Sequence, residues 1–381
     1  MSTTLDRQPT PTVSGPSNAM ASTTHHSSHR RLLATGAGAA IATAPVDAII
    51  VPAAREASGL AVAVALADHL DATLVVLCSR DAQAAQVRAL WRGNPRVWAA
   101  DVHGPNNVLP RFRTTLVVRD TPFQRRPDTP VKRNLGLALT RMIGWERAFF
   151  LDDDIDGIDP ASLREGAGML DRHDVVGQRN IGFPDNSVVC HAHRETGHRQ
   201  EAFLGAGAML FRGARAATAF FPAIYNEDWF FVLDRNRLAR CAAHGEFAQR
   251  AYDPYADPRR AAREEFGDCL AEGIFALLDA GRPIDDADED YWRDFLAGRA
   301  ALIEQIRTDL TASDVPRTRR ARIADALGAA TYSLGLIKPA QCVRYLSAWR
   351  YDLELWRRFT AGLPRGLNPR AALGYLGLRA A

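Results

Sequence analysis

The stretch AFFLDDDIDGID, residues 148–159, constrains the fold of this chain more than any other. Ala148, Phe149, Phe150 and Leu151 make a short apolar run that suits a buried strand, and Asp152, Asp153, Asp154, Asp156 and Asp159 follow almost without spacing. Two unit charges ~4 Å apart repel by roughly 1 kcal/mol in water, and by several times that near a low-dielectric surface. The strand must therefore end where something positive gathers, and a divalent cation is the obvious candidate. Asp159-Pro160 starts a helix at once, which places the carboxylates at the carboxyl end of a strand, the edge at which open α/β sheets bind ligands.

The surrounding pattern agrees. DAIIVP (47–52) and TLVVLCS (73–79) read as buried strands, with a helix between them carrying Leu60, Val64, Ala67 and Leu70, and a further helix beginning near Asp81. Alternation of this kind predicts a parallel sheet with helices on both faces. TLVV (115–118) reads as the next strand. A helix then starts at Thr129-Pro130, buries Leu135, Leu139 and Met142, and stops at Gly144. AFLGAGAMLF (202–211) reads as a strand with two glycines, Gly205 and Gly207, where a ligand can approach the backbone or a bulge can form. A helix runs from Asp257 to Gly281, and the remainder is helical. Three parts are expected: a disordered tail over 1–44, an α/β domain over 45–285, and a helical extension over 286–381.

The chain of 381 residues carries a net charge of only +3, yet residues 311–381 alone hold +8. A basic extension of this kind suits an anionic ligand, a membrane surface or a second copy, or else a solvated helix face in an arginine-rich protein. No interleaving of basic and aromatic residues points to nucleic acid. The five cysteines are scattered and lack any CxxC spacing, which fits a reducing, cytoplasmic setting. Arg30–Ala44 weakly matches a twin-arginine signal, although a low-complexity tail describes it better.

Mg²⁺ and Mn²⁺ take oxygen ligands, and Mg²⁺ typically combines one or two carboxylates with phosphate oxygens. In an extended backbone Asp152 and Asp154 share one side, flanking Asp153, and so supply such a set. Lys132 and Arg133 lie in the first turn of their helix, where cations oppose the dipole; an anion bound there accounts for both.

The order DAIIVP, SRD (79–81), KRNLGLAL (132–139) and FFLDDD (149–154) resembles nucleotide-sugar glycosyltransferases of the GT-A fold, close to family 2, over residues 46–280. The resemblance implies a Rossmann-like mixed sheet with helices on both faces. It also implies a nucleotide-diphosphate sugar donor, Mg²⁺ or Mn²⁺ as cofactor, and a hydroxyl acceptor. The family's DxD signature falls on Asp152 and Asp154, with Asp152 on the ribose or sugar and Asp154 on the metal. Donor contacts are implied for Asp81, Lys132, Arg133, Asn134, Asp153, Gly205 and Gly207. YNEDWFF (225–231) resembles the family's Glu-Asp motif, which makes Asp228 the base in an inverting reaction, with Glu227 beside it. His244 stands where some members recruit a late histidine to the metal.

Other readings compete. Asp154-Ile155-Asp156-Gly157 resembles the nucleophile motif of haloacid-dehalogenase-type phosphatases, though that motif normally opens its domain and Ile158 replaces the expected hydroxyl residue. The fold could also bind a nucleotide sugar without turnover. His191 and His193 share one side if their segment is a strand, but lack a third metal ligand.

Overall fold

Residues 28–34, 41–103, 108–125 and 128–378 are described in a computed structural model of the chain. The apolar runs become β1 (Ala48–Val51), β2 (Thr73–Cys78), β3 (Val97–Asp101) and β4 (Arg147–Leu151). The helices between them are α1 (Ala61–Leu70), α2 (Ala84–Leu90), α3 (Arg113–Val118) and α4 (Thr129–Ile143). These four strands pair in parallel in the order β3-β2-β1-β4, so all four carboxyl ends share one edge.

Beyond β4 the chain adds β5 (Ile155–Asp156), α5 (Pro160–Met169), β6 (Val175–Asn180), α6 (Val188–Glu195), β7 (Ala208–Arg212), α7 (Glu227–Phe231) and β8 (Cys241–Gln249). The eight strands lie in the order β3-β2-β1-β4-β7-β6-β8-β5. β7 runs antiparallel to both its neighbours, while β8 is parallel to β6, so the sheet is mixed. The rest is helical: α8 (Arg259–Asp279), α9 (Glu289–Ala312), α10 (Arg317–Leu336), α11 (Pro339–Ala361) and α12 (Pro369–Tyr375).

Both faces of the sheet are covered, which is why its central strands are apolar throughout instead of alternating. Ile49, Val51, Phe149 and Leu151 face α1 and α5, whereas Ile50, Phe150 and Phe211 face α4 and the carboxy-terminal helices. That second core runs without a break into α11 and α12 through Trp349, Trp356 and Leu373. The indole of Trp356 donates to the Ala216 carbonyl at 2.9 Å. The expected boundary near 285 is thus crossed by continuous packing.

Several elements differ from the sequence reading. TLVV lies in α3, not in a strand. The buried carboxylate of Asp352 on α11 accepts from the amides of Arg113 and Thr114 and from the Thr114 hydroxyl, each at 2.8 Å, and so satisfies the free donors of a helix start. The third strand is instead Val97–Asp101. Of AFLGAGAMLF the strand covers Ala208 onward, with the Gly207 carbonyl accepting from the Asp152 amide at 2.8 Å; the Ala206 amide is used elsewhere, as described below. His191 and His193 belong to α6, where residues two apart point in different directions.

Within the expected tail, residues 1–27 and 35–40 lie outside the described residues. Residues 28–34, by contrast, sit on the fold: His29 is 2% exposed, and its ring bonds Asp279 and, at 3.1 Å, Glu272. Burial alone would lower the His29 pKa, but these two carboxylates raise it to about 9. The Ala34 amide donates to the Cys241 carbonyl at 2.9 Å, extending the contact to β8. All five cysteines are buried free thiols. Among the described residues no helix is long and apolar enough to cross a membrane.

Candidate active site

The carboxyl ends of β1, β2 and β4 bring three loops together, and α4 holds them. Lys132, fully buried in its first turn, donates to the Ala53 carbonyl after β1 and the Ser79 hydroxyl after β2, both at 2.6 Å. Its third partner is Asp128 at 3.2 Å. An ammonium has three donors, and all are used, so Lys132 fastens the strand ends and offers nothing to a donor phosphate. Burial lowers its pKa, and Asp128 opposes that shift. Asn134 is also structural: its amide donates to the Phe221 carbonyl and accepts from the Phe221 amide, each at 2.8 Å. The two residues expected at the donor are thus engaged with the protein's own loops.

The carboxylate cluster is neutralised largely from within. Asp153 accepts from the amides of Ala54 at 2.7 Å and Arg55 at 2.8 Å and pairs with the Arg55 guanidinium, so it anchors the β1 loop and does not face a ligand. Arg55 reaches on to Asp154 at 2.9 Å. Arg133 spans Asp152 at 3.0 Å and Glu227 at 2.8 Å while only 4% exposed. The cations of the α4 first turn thus both meet carboxylates of the protein itself. Asp156 pairs doubly with Arg250 at 2.8 and 2.9 Å, and Asp159 caps α5 by accepting from the Ser162 amide at 2.8 Å.

Asp228 enters from the opposite wall, at the start of α7. Its carboxylate accepts from the Ala206 and Trp229 amides, both at 3.0 Å. The bond to Ala206 explains why residues 202–207 do not continue the strand. Asn226 before it adopts φ +58°, and its side chain donates to Asp268 at 3.0 Å, which sets the entry of the helix.

Asp152, Arg133, Glu227 and Asp228 line one cavity of about 230 Å³ together with Gly205 and Gly207. A Cβ on Gly207 would stand 2.9 Å from Ile155 Cδ1 and 3.3 Å from Asp152 Oδ2, so only glycine leaves Asp152 its position. Sequence reasoning missed Arg125 and Asp185 on the same walls. Arg125 lies over the Tyr225 ring at 5.5 Å, and Asp185 stands on the cavity wall with an exposed surface. Neither falls in a recognisable motif; a loop closing over the sheet edge is the only signal either could have had. Asp81 is exposed at the end of β2.

Crowding of acids and burial shift these groups together. Burial pushes the Glu227 carboxyl up to about 7, with Arg133 opposing and Asp228 adding to the rise. Asp228 is raised by burial against the pull of Arg133 and its two amides. The surrounding protein and the charge of Asp228 raise the Asp185 carboxyl, opposed by Arg260, although the residue keeps an exposed surface. Asp154 rises to about 6 through burial and Asp152, with Arg55 opposing.

Among the described residues, no three His, Cys, Asp or Glu side chains converge as metal ligands. His244 is not brought to the aspartates: it faces α5 and pairs with Glu165 at 2.8 Å. Asp152 and Asp154 remain, two hard oxygen donors whose charge Arg55 and Arg133 leave incompletely balanced. Both are oxygen donors of the kind Mg²⁺ or Mn²⁺ takes together with a ligand's phosphate oxygens, but Asp153 and Asp154 form a turn instead of the expected extended run, and of the pair only Asp152 lines the cavity. His191 is engaged with Tyr252 at 3.2 Å, and burial lowers its pKa to about 3, so it stays neutral.

No protein-family model matches the sequence, and no curated protein matches it. Among solved structures the chain is similar to the mannosyltransferase PcManGT from Pyrobaculum calidifontis, determined in complex with GDP-Man and Mn2+. The match has 14% identity and a TM-score of 0.42, and covers 83% of this chain and 89% of that one. A likeness at that level carries no inference about chemistry.

Proposed function

We propose that this chain is a metal-dependent nucleotide-sugar glycosyltransferase of the GT-A type. It transfers a sugar from a nucleotide-diphosphate donor to an acceptor hydroxyl with inversion. One observation carries the reading: Asp152, at the carboxyl end of a parallel strand, and Asp228, from a separate helix, meet in one cavity and are linked through Arg133 and Glu227.

In this reading Asp152 and Asp154 hold Mg²⁺ or Mn²⁺, which when bound supplies positive charge to the diphosphate leaving group. Asp81 and the loops after β1 and β2 form the nucleotide end of the site. Asp228 removes the acceptor proton as the acceptor oxygen bonds to the anomeric carbon and the bond from that carbon to the diphosphate breaks. A sugar hydroxyl is a poor nucleophile near neutral pH, so a positioned base is needed. The raised Asp228 pKa makes it a stronger base than an exposed aspartate, and its two amide bonds keep it aimed. Glu227 orients Arg133. Residues 45–285 form the catalytic unit, with 286–381 packed behind it, and the protein works in the cytoplasm.

The test is thermal shift with UDP, GDP, ADP and dTDP, with and without Mn²⁺, followed by nucleotide release from the corresponding sugars. One nucleotide should stabilise the wild type only with metal, and Asp154→Asn should abolish that effect. Asp228→Asn should keep the nucleotide shift while losing on the order of 10²- to 10⁴-fold in transfer. No response to any nucleotide, with phosphate released from phosphomonoesters, would replace this reading with the phosphatase. A nucleotide response without turnover on any sugar donor would leave a binding protein.

A further inference from the structure

At the edge of the sheet opposite the candidate active site, a second cavity of about 420 Å³ lies between the end of α4, the start of β4, the end of β7 and the loop joining α11 to α12. Four arginines line it: Arg141, Arg147, Arg212 and Arg365. Two carboxylates share the wall, Glu146 and Asp171, and Arg147 pairs with both, at 3.6 and 2.7 Å, while donating to the Ala167 carbonyl at 3.2 Å. Arg141, Arg212 and Arg365 pair with no carboxylate among the described residues, although elsewhere in this molecule many arginines find one. Arg141 is half-buried, and its Nε is shielded from water with no hydrogen-bond partner. Burial and the neighbouring charge of Arg365 both disfavour its charged form. Three guanidinium side chains line one concavity, and the partly desolvated Arg141 sits within reach of the Arg365 charge.

We propose that this cavity binds a phosphate group, clasped between Arg141, Arg212 and Arg365. Guanidinium forks match tetrahedral phosphate oxygens and form charge-assisted, often paired hydrogen bonds with them. A dianion also meets the charge of this wall better than a monocarboxylate does. Arg365 comes from the loop joining α11 to α12 and Arg141 from α4, and these segments are already joined where the Leu367 amide donates to the Met142 carbonyl at 3.1 Å. Phosphate bound here ties the extension more firmly to the helix that carries Lys132 and Arg133. The site does not depend on the glycosyltransferase reading.

The experiment is calorimetric titration of the whole protein with inorganic phosphate at constant ionic strength in chloride. The wild type, Arg141→Gln, Arg365→Gln and Asp154→Asn are compared. Phosphate should bind the wild type and Asp154→Asn alike, and each arginine variant should weaken it at least tenfold. Arg365 is exposed, so its variant keeps the fold and stays informative if Arg141→Gln does not. Co-sedimentation with phosphatidylcholine vesicles containing phosphatidic acid separates the sources. Sedimentation lost in both arginine variants makes the ligand a lipid headgroup, and phosphate binding without sedimentation makes it a soluble phosphate. Absence of phosphate binding, or binding equal in the wild type and both arginine variants, overturns the proposal.

Discussion

Replacing Arg133 with methionine tests how the candidate site is held together. The side chain is 5% exposed and bonds two carboxylates, those of Asp152 and Glu227, whose side chains are 30% and 16% exposed. Methionine fills much of the space but leaves both acids unpaired, and breaking a buried ion pair from one side costs about 3–5 kcal/mol. The loss should depend on pH. Glu227, already raised to about 7, loses the cation that opposed the rise, so its folded-state pKa climbs further above its unfolded value. A carboxyl raised on folding destabilises the fold as pH rises from the unfolded pKa toward the folded one, because only the unfolded chain ionises freely there. With one pKa unit equal to about 1.4 kcal/mol, the destabilisation should be about 1–2 kcal/mol greater at pH 8 than at pH 6. Urea unfolding of both proteins at the two pH values measures this. An equal loss at pH 6 and pH 8, or a loss below about 1 kcal/mol at pH 8, would refute the account of Arg133 as the counter-ion of the cluster.

Asn134→Ala should destabilise by about 2–4 kcal/mol, because it strands the buried amide and carbonyl of Phe221, while any nucleotide-dependent thermal shift survives. A variant of normal stability that has lost nucleotide binding would restore Asn134 to the donor site. His29→Gln should flatten the alkaline limb of the stability profile. The raised pKa of about 9 means that the His29 contribution is complete below about 6.5 and is lost as pH rises through 9. That difference amounts to about 3 kcal/mol between wild type and variant at pH 6, read by urea unfolding. Parallel profiles from pH 6 to pH 10 would show that residues 28–34 do not lean on this pair.

The site is built around a balance of charge that the linear chain does not display. Five carboxylates after one strand invite a metal, yet Arg55, Arg133 and Arg250 each take a share of that charge. None of these arginines is marked by its neighbours in the sequence, since 45 of the residues are arginine. What separates them is the meeting of loops at one sheet edge. Asp153 and Asp154 differ for the same reason: adjacent in sequence, one is tied to the β1 loop and the other is left under-neutralised.

Local chemistry by itself determined β1, β2 and β4, the helix from Thr129 to Gly144, the cap at Asp159 and the strand-end position of the DDD triple. Apolar periodicity, capping residues and abrupt changes of polarity act over a few residues and need no distant partner. Tertiary structure decided the rest. Asp352, more than two hundred residues away, turned TLVV into a helix by capping it, and Phe221 claimed the amide of Asn134. Ala206 gave its amide to Asp228 and so ended a strand that its sequence favours. A buried polar group must find a partner wherever the fold brings one, and which partner arrives is a property of the assembled chain, not of the segment that waits for it.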